Sequence, residues 1–351
     1  MRLHVVSLPH TQTTRAYDTC AFTALTRHFC DMMMAQGHEA FLYSGEENEA
    51  NCTEHIPVIS TQKQRECGFM GPEDMVKVVY SSDQSYWRSM NWKAVNEIKN
   101  RAEPRDILCL AAGVQSPIAV ALNHLTSVEY IAGYQGIELA RRVFPSYAWM
   151  HAVYGHRFGA AACDSDDFDA VIPHFVDSDE LPFVETPDDY FLYVGRLIDR
   201  KGWRIAQDVC ERTGRRLLVA GRGDFSGYGE YVGPVGPAER ASLMGHAQAI
   251  FMPSRYLEPF GLVHVEAALC GTPVIASDVG AVTETVTSGS NGFRCRSFAE
   301  YLDATERVGD LSRAGVAVQA VRYTYPVIGQ RYTEHFEKLQ TLWEDGWYHV
   351  Q

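Results

Sequence analysis

An α/β chain of two doubly wound, Rossmann-like domains is predicted by three features of the sequence. With 351 residues it exceeds what one hydrophobic core usually serves, so two domains of roughly 150 to 180 residues are expected. Strand-like apolar runs alternate with helical patterns throughout, the signature of βαβ units and parallel sheets. Between residues 164 and 189 the composition shifts, with ten acidic residues and three prolines around one short apolar run at 170–173. The later part of that stretch reads as a linker, dividing the chain into an N-terminal domain, 1–177, and a C-terminal domain, 178–329. A last helix, 330–351, is expected to pack back on the first domain.

Residues 3–8 read as a buried strand. The helix after it sets Phe22, Leu25, Phe29 and Met32 at three- and four-residue spacing, one buried stripe, and Gly37 ends it. Further strands are expected at 38–43, 107–112 and 130–132. A second series follows at 190–194, 217–220, 249–252 and 273–276, each strand closed by a turn containing Gly or Pro. In the tail, Tyr332, Phe336, Leu339 and Trp343 share one helical face and need a surface to cover them. Two such domains facing across a cleft bring the carboxyl ends of both sheets together, where open α/β sheets bind ligands.

Composition removes several function classes. The formal charge of −13 repels phosphate backbones and anionic lipid, which disfavours nucleic acid as a partner. No run approaches the ~18 apolar residues of a membrane span, and residues 1–8 are too short an apolar stretch for a signal peptide, so a cytoplasmic enzyme is expected. Nine scattered cysteines without a CxxC pair read as reduced thiols, and the absence of HExxH spacing argues against zinc. Residues 7–14 contain no glycine, which argues against a dinucleotide-dependent oxidoreductase. A two-lobed binding protein without catalysis is the remaining distant class.

Chemistry concentrates between residues 253 and 276, a strand, loop, helix, turn and strand. Glu258 falls in the loop and Glu266 about two turns along the helix, so two carboxylates face one pocket at different depths. Gly261 lets the backbone approach a ligand, and the helix beginning near Phe260 offers unpaired N–H groups suited to a phosphate. The order Glu258-Pro259-Phe260-Gly261, seven residues between the glutamates, then Cys270-Gly271-Thr272-Pro273, closely resembles the EX7E donor motif of family 4 glycosyltransferases, which have the GT-B fold. Gly195-Arg196 through Lys201-Gly202 looks like that family's phosphate-binding loop, Ile172 to Asp177 its interdomain segment, and Gly280 to Glu284 its Gly-Gly-x-x-Glu turn.

The resemblance implies a retaining glycosyltransferase using a UDP- or GDP-sugar, UDP favoured, with no metal or cofactor. In this reading Glu266 hydrogen-bonds the ribose and Glu258 the sugar hydroxyls. Gly195 and the N–H groups of Phe260, Gly261 and Leu262 reach phosphate or sugar, and the base lies against Val232, Gly233 and Val235. A leaving nucleoside diphosphate gains charge in the transition state, so cations must stand beside it, and Arg196 and Lys201 are the candidates. An epimerase or a sugar phosphorylase of the same fold would differ in its products from nucleotide sugar alone or with phosphate.

Before residue 169 the likeness is architectural and specifies no acceptor; a small molecule, a glycan, a protein side chain and a modified nucleobase all stay open. Gln135 stands where the family carries an active-site histidine, with His151 as a substitute or, alternatively, a satisfied core residue. The loop 9–15 lacks the family's glycines and offers Thr11, Thr13, Thr14 and Arg15, with Thr13 and Thr14 the candidate contacts to acceptor or phosphate.

Overall fold

The computed structural model describes residues 1–133, 139–159, 166 and 168–344, with side chains to 341. The chain forms two compact units. One holds Met1–Pro145, Tyr154–His174 and Pro326–Gln351, the other Ser146–Val153 and Phe175–Tyr325.

The first unit is built on five parallel strands: β1 (Arg2–Val6), β2 (Glu39–Ser44), β3 (Glu54–Pro57), β4 (Ile107–Leu110) and β5 (Thr126–Glu129). Their order is β3-β2-β1-β4-β5. Leu3, Val5 and Val6 of β1 and all of β4 are fully buried, as a parallel sheet covered on both faces requires. The helix Ala21–Ala35 buries Leu25, Phe29, Met32 and Met33, and Gly37 at φ 82° follows its end. The strand expected at 130–132 lies earlier, at β5, whose Glu129 pairs in register with Leu110. Tyr130, Ile131 and Ala132 are buried without being sheet, so their apolar character marks the core and not the strand. A short two-stranded sheet, β6 (Val143–Phe144) with β7 (Ala170–Val171), completes this unit's strands among the described residues.

The tail forms the helix Tyr325–Glu344, which buries Ile328, Tyr332, Phe336 and Leu339. Tyr332 donates to the Tyr130 carbonyl at 2.7 Å, and the Tyr332 and Phe336 rings meet Phe29 at 5.2 and 6.5 Å. The Trp343 side chain lies outside the described residues.

The second unit carries six parallel strands: β8 (Phe191–Val194), β9 (Leu217–Ala220), β10 (Glu230–Gly233), β11 (Ala249–Met252), β12 (Val274–Ser277) and β13 (Gly292–Cys295). Their order, β10-β9-β8-β11-β12-β13, reverses direction between β8 and β11. That reversal is the topological switch point, where the loops leaving two adjacent strands part and leave a crevice at their carboxyl ends. Both edge strands went unanticipated. β10 is an exposed edge strand of mixed polarity, and β13 opens on Gly292, which packs against the Val274 backbone.

Residues Ser146–Val153 correct the expected division at 177. Ser146 Oγ donates to the Pro259 carbonyl at 2.7 Å, and the N–H groups of Tyr147 and Ala148 donate to the Glu284 carboxylate at 3.0 and 2.7 Å. Glu284 thereby satisfies the unpaired first turn of the helix Tyr147–Phe158 and binds this segment to the second unit.

Candidate active site

The site grows from the loops at the switch point of the second unit. The chain leaves β8 through Gly195 and Arg196, makes a single helical turn at Asp199–Lys201, and enters the helix Trp203–Thr213 through Gly202. It leaves β11 through Pro253 and Ser254 and reaches the helix Leu262–Leu269 through Glu258 and Gly261. The two loops are joined by the Arg255 N–H, which donates to the Arg200 carbonyl at 2.8 Å. Gly202 makes their close approach possible. Its φ is 69°, and a Cβ there would lie 1.9 Å from the Pro253 carbonyl oxygen.

This packing brings Lys201 to Glu258. Lys201 Nζ donates to both carboxylate oxygens, at 3.2 and 3.0 Å, and Ser254 Oγ donates to Oε2 at 3.1 Å. The Glu258 side chain is 7% exposed and Lys201 24%, so the carboxylate is held from below while the ammonium keeps a route outward. Lys201 Nζ also stands 5.1 Å over the Tyr256 ring. A second turn buttresses the same loop. Gly280, at φ 66°, sits where a Cβ would come 2.7 Å from the Glu258 carbonyl oxygen, and the Ala281 N–H donates to that oxygen at 3.0 Å.

Glu266 lies on the helix Leu262–Leu269, 13% exposed, and accepts from Arg240 Nη2 at 2.9 Å. Gly261 caps that helix in the left-handed conformation, φ 84° and ψ 60°. Its carbonyl and the Leu262 side of the turn are fixed by His264, whose Nδ1 bonds the Gly261 oxygen. Burial lowers the His264 pKa to about 4, so the ring is neutral near pH 7. Nδ1 then carries the proton it donates, and Nε2, buried without a hydrogen-bond partner among the described residues, is a bare acceptor. Phe260 is buried against Tyr323 and His264, which leaves only its backbone to face a ligand.

Other expected residues are distributed as follows. Arg196 is exposed and forms no ion pair with a described residue; its carbonyl accepts from Tyr193 Oη at 2.9 Å. The Gly195 N–H donates to the Ala220 carbonyl at 3.0 Å, which ties this loop to the end of β9. Val232 and Gly233 end β10, with Val232 39% exposed, and Val235 is half-buried beyond it. The Gly233 carbonyl accepts from the Gly221 N–H at 2.8 Å. His151 is exposed on the helix Tyr147–Phe158, its ring 6.2 Å from Tyr147, so it is not the core residue its neighbours suggest. Among the described residues no hydrogen bond or ion pair links it to the Lys201 and Glu258 pair.

In the loop 9–15 the candidate contacts Thr13 and Thr14 turn into the first unit. Thr13 is fully buried and Thr14 is 7% exposed. Thr13 is paired with Asn48 as an isolated bridge, its N–H bound to the Glu47 carbonyl at 3.1 Å. Gln12 anchors the loop by donating to Gln64 at 2.6 Å and accepting from the Glu47 N–H at 2.8 Å. The threonines therefore pack the first unit in place of the missing glycines. Gln135 lies outside the described residues. Among the described residues no three His, Cys, Asp or Glu side chains gather as metal ligands, and no helix is long and apolar enough to cross a membrane.

Residues 178–311 match the family of glycosyl transferases group 1. This segment is a group 1 glycosyltransferase domain. The fold of the whole chain is GT-B, on its likeness to solved structures of low sequence identity. The glycosyltransferase AviGT4 of avilamycin A biosynthesis matches with a TM-score of 0.70 at 20% identity, over 97% of this chain and 98% of that one. Sucrose-phosphate synthase of Thermosynechococcus elongatus matches at 0.66 and 16% identity, over 97% and 99%. Anabaena HepE, solved with UDP and glucose, matches at 0.65 and 15%, over 96% and 100%.

Among curated relatives, glycogen synthase of Mycobacterium tuberculosis is 28% identical over 208 residues, half of each chain. The phosphatidyl-myo-inositol mannosyltransferase of the same organism is 32% identical over 35% of this chain and 39% of its own length. The match thus spans half or less of these relatives' length. Ser254, Arg240 and His264 are the group 1 domain's polar residues at this site that the motif reading missed. Only Ser254 and His264 carried a local signal, since both lie inside the stretch that holds the glutamates.

Proposed function

We propose that this chain moves a sugar from a nucleoside-diphosphate sugar to a hydroxyl acceptor, with retention at the anomeric carbon. What supports it most is the meeting of Lys201 and Glu258 at 3.0 Å on the switch point of a group 1 glycosyltransferase domain. In this reading Glu258 accepts from the donor sugar's hydroxyls and Glu266 from the ribose, while the N–H groups at the start of the helix Leu262–Leu269 meet the diphosphate. The base lies along Val232, Gly233 and Val235. UDP is the favoured nucleotide, because HepE was solved with UDP and with UDP-glucose. The first unit binds the acceptor.

The bond from the anomeric carbon to the diphosphate breaks as the acceptor oxygen bonds the same carbon from the face the phosphate leaves. The acceptor proton passes to the departing phosphate oxygen, so no protein base is needed. Negative charge growing on the diphosphate is met by Lys201 and by Arg196, which has no other anion to hold among the described residues.

Isothermal calorimetry with UDP tests the donor site. Losing one charge-assisted contact costs about tenfold in affinity, and that loss is expected separately for Glu266→Gln and Arg196→Ala. Unchanged affinity in both variants would remove the assignment. A second test concerns metal. Transfer from UDP-glucose is expected to proceed at full rate in excess chelator, because the two cations do the work of a divalent ion. Complete loss, restored by manganese, contradicts the cationic clamp.

A further inference from the structure

The pairing of Arg240 with Glu266 joins two elements distant in sequence. Arg240 stands one turn into the helix Pro237–His246, whose first residue is proline, and Glu266 stands on the helix Leu262–Leu269 packed beside it. The turn that ends the second helix is fastened to the first by Thr272 Oγ1, which donates to the Met244 carbonyl at 2.6 Å, and by the buried Cys270 against Ala241. Arg240 Nη2 reaches Glu266 Oε1 at 2.9 Å, while Oε2 has no hydrogen bond among the described residues. The side chains are 27% and 13% exposed, so the contact is sheltered and still opens to solvent on one side. Just before this helix the chain passes Val232 and Val235, where the proposed function seats the base.

We propose that Arg240 is a positioning residue for the nucleotide: it fixes one oxygen of Glu266 so that the other accepts from the ribose diol. The inference rests on the donor-site reading above and adds to it a residue outside the Glu258 to Glu266 stretch. Two physical effects support the role. A lone carboxylate has several rotamers, and each contact it makes with a ligand carries the entropy of choosing one; a guanidinium already bonded to Oε1 removes that choice. A bare carboxylate beside a diphosphate also repels it, and Arg240 neutralises that charge without occupying the oxygen that faces the ribose. The role depends on reach and hydrogen-bond geometry, so lysine restores only the charge.

The 2′-hydroxyl supplies a specific readout. Calorimetry is run with UDP, GDP and ADP and with the 2′-deoxy form of each, on the full chain and on Arg240→Met, Arg240→Lys and Glu266→Gln. For the nucleotide that binds best, Arg240→Met is expected to weaken the ribo form about tenfold and the 2′-deoxy form by less than about twofold. Arg240→Lys should fall between. Equal losses on both forms would mean that Arg240 acts on the base, the phosphates or the fold, and no loss on the ribo form would mean that it does not act; either overturns the proposal. If Glu266→Gln leaves the preference for the ribo form intact, or none of the three nucleotides binds, the donor-site reading itself fails, which is a different outcome from an Arg240 effect that is missing while Glu266 still counts.

Discussion

Replacing Lys201 with methionine is expected to lower the turnover number for sugar transfer by about a hundred- to a thousandfold, the range seen when one preorganised charge is taken from a transition state. The methionine keeps the length of the stem, so the loss reports the ammonium. Stability should also fall, because Glu258, held in the structure by Lys201 and Ser254, loses the cation it pairs with while remaining 7% exposed. Stranding a buried carboxylate costs about 1–3 kcal/mol. Adding Glu258→Gln removes the stranded charge, and the double variant should recover most of the stability and none of the turnover. Steady-state kinetics and urea unfolding on the two variants separate these effects. A Lys201→Met enzyme that keeps more than a tenth of its turnover would show that the leaving diphosphate is stabilised elsewhere.

The parts of this site that were legible in the sequence are those whose chemistry sits close together along the chain. Glu258, Gly261 and Glu266 occupy one loop and one helix, so their spacing alone sets their relative depth. Lys201 was legible through the glycines around it, and Gly202 proves to be the point where its loop touches the Pro253 backbone. Arg240 was not legible. Its partner lies 26 positions away, and nothing in the local pattern at 237–246 distinguishes a ligand-positioning arginine from a surface one. Thr13 and Thr14 show the converse: small polar residues after a first strand look like a phosphate loop, whereas here both are buried and Gln12 is tied to Gln64. For the fold, the central strands were read well because they are buried on both faces and apolar throughout. β3 and β10 escaped because edge strands mix polar and apolar residues and carry no such run. Residues Ser146–Val153 were grouped with the first domain because Glu284, which caps the helix they begin, lies more than a hundred residues further on, a partnership no local pattern encodes.

The buried histidines give the second large effect, on acid stability. His10 is 2% exposed amid Phe69, Tyr80 and Trp87, with Nδ1 lacking a hydrogen-bond partner among the described residues, and burial lowers its pKa to about 3. His264 is 3% exposed and its pKa falls to about 4 for the same reason. Both values lie below the 6.5 of a histidine in an unfolded chain. Burial also lowers His174 to about 3 and His335 to about 4, so between pH 6.5 and about 4 the unfolded state binds protons that four native histidines refuse, and stability is lost as the pH falls through that window. Each refused proton contributes at most about 1.4 kcal/mol per pH unit, so His10 and His264 together account for up to about 2.7 kcal/mol per unit of the slope. Urea unfolding at a series of pH values measures it. His10→Phe keeps an aromatic ring in the cluster and His264→Gln keeps a donor for the Gly261 carbonyl, and each should reduce the slope by about one proton. Curves that run parallel to the wild type from pH 6.5 downward would mean that these rings take up protons without unfolding, which the apolar walls around His10 forbid.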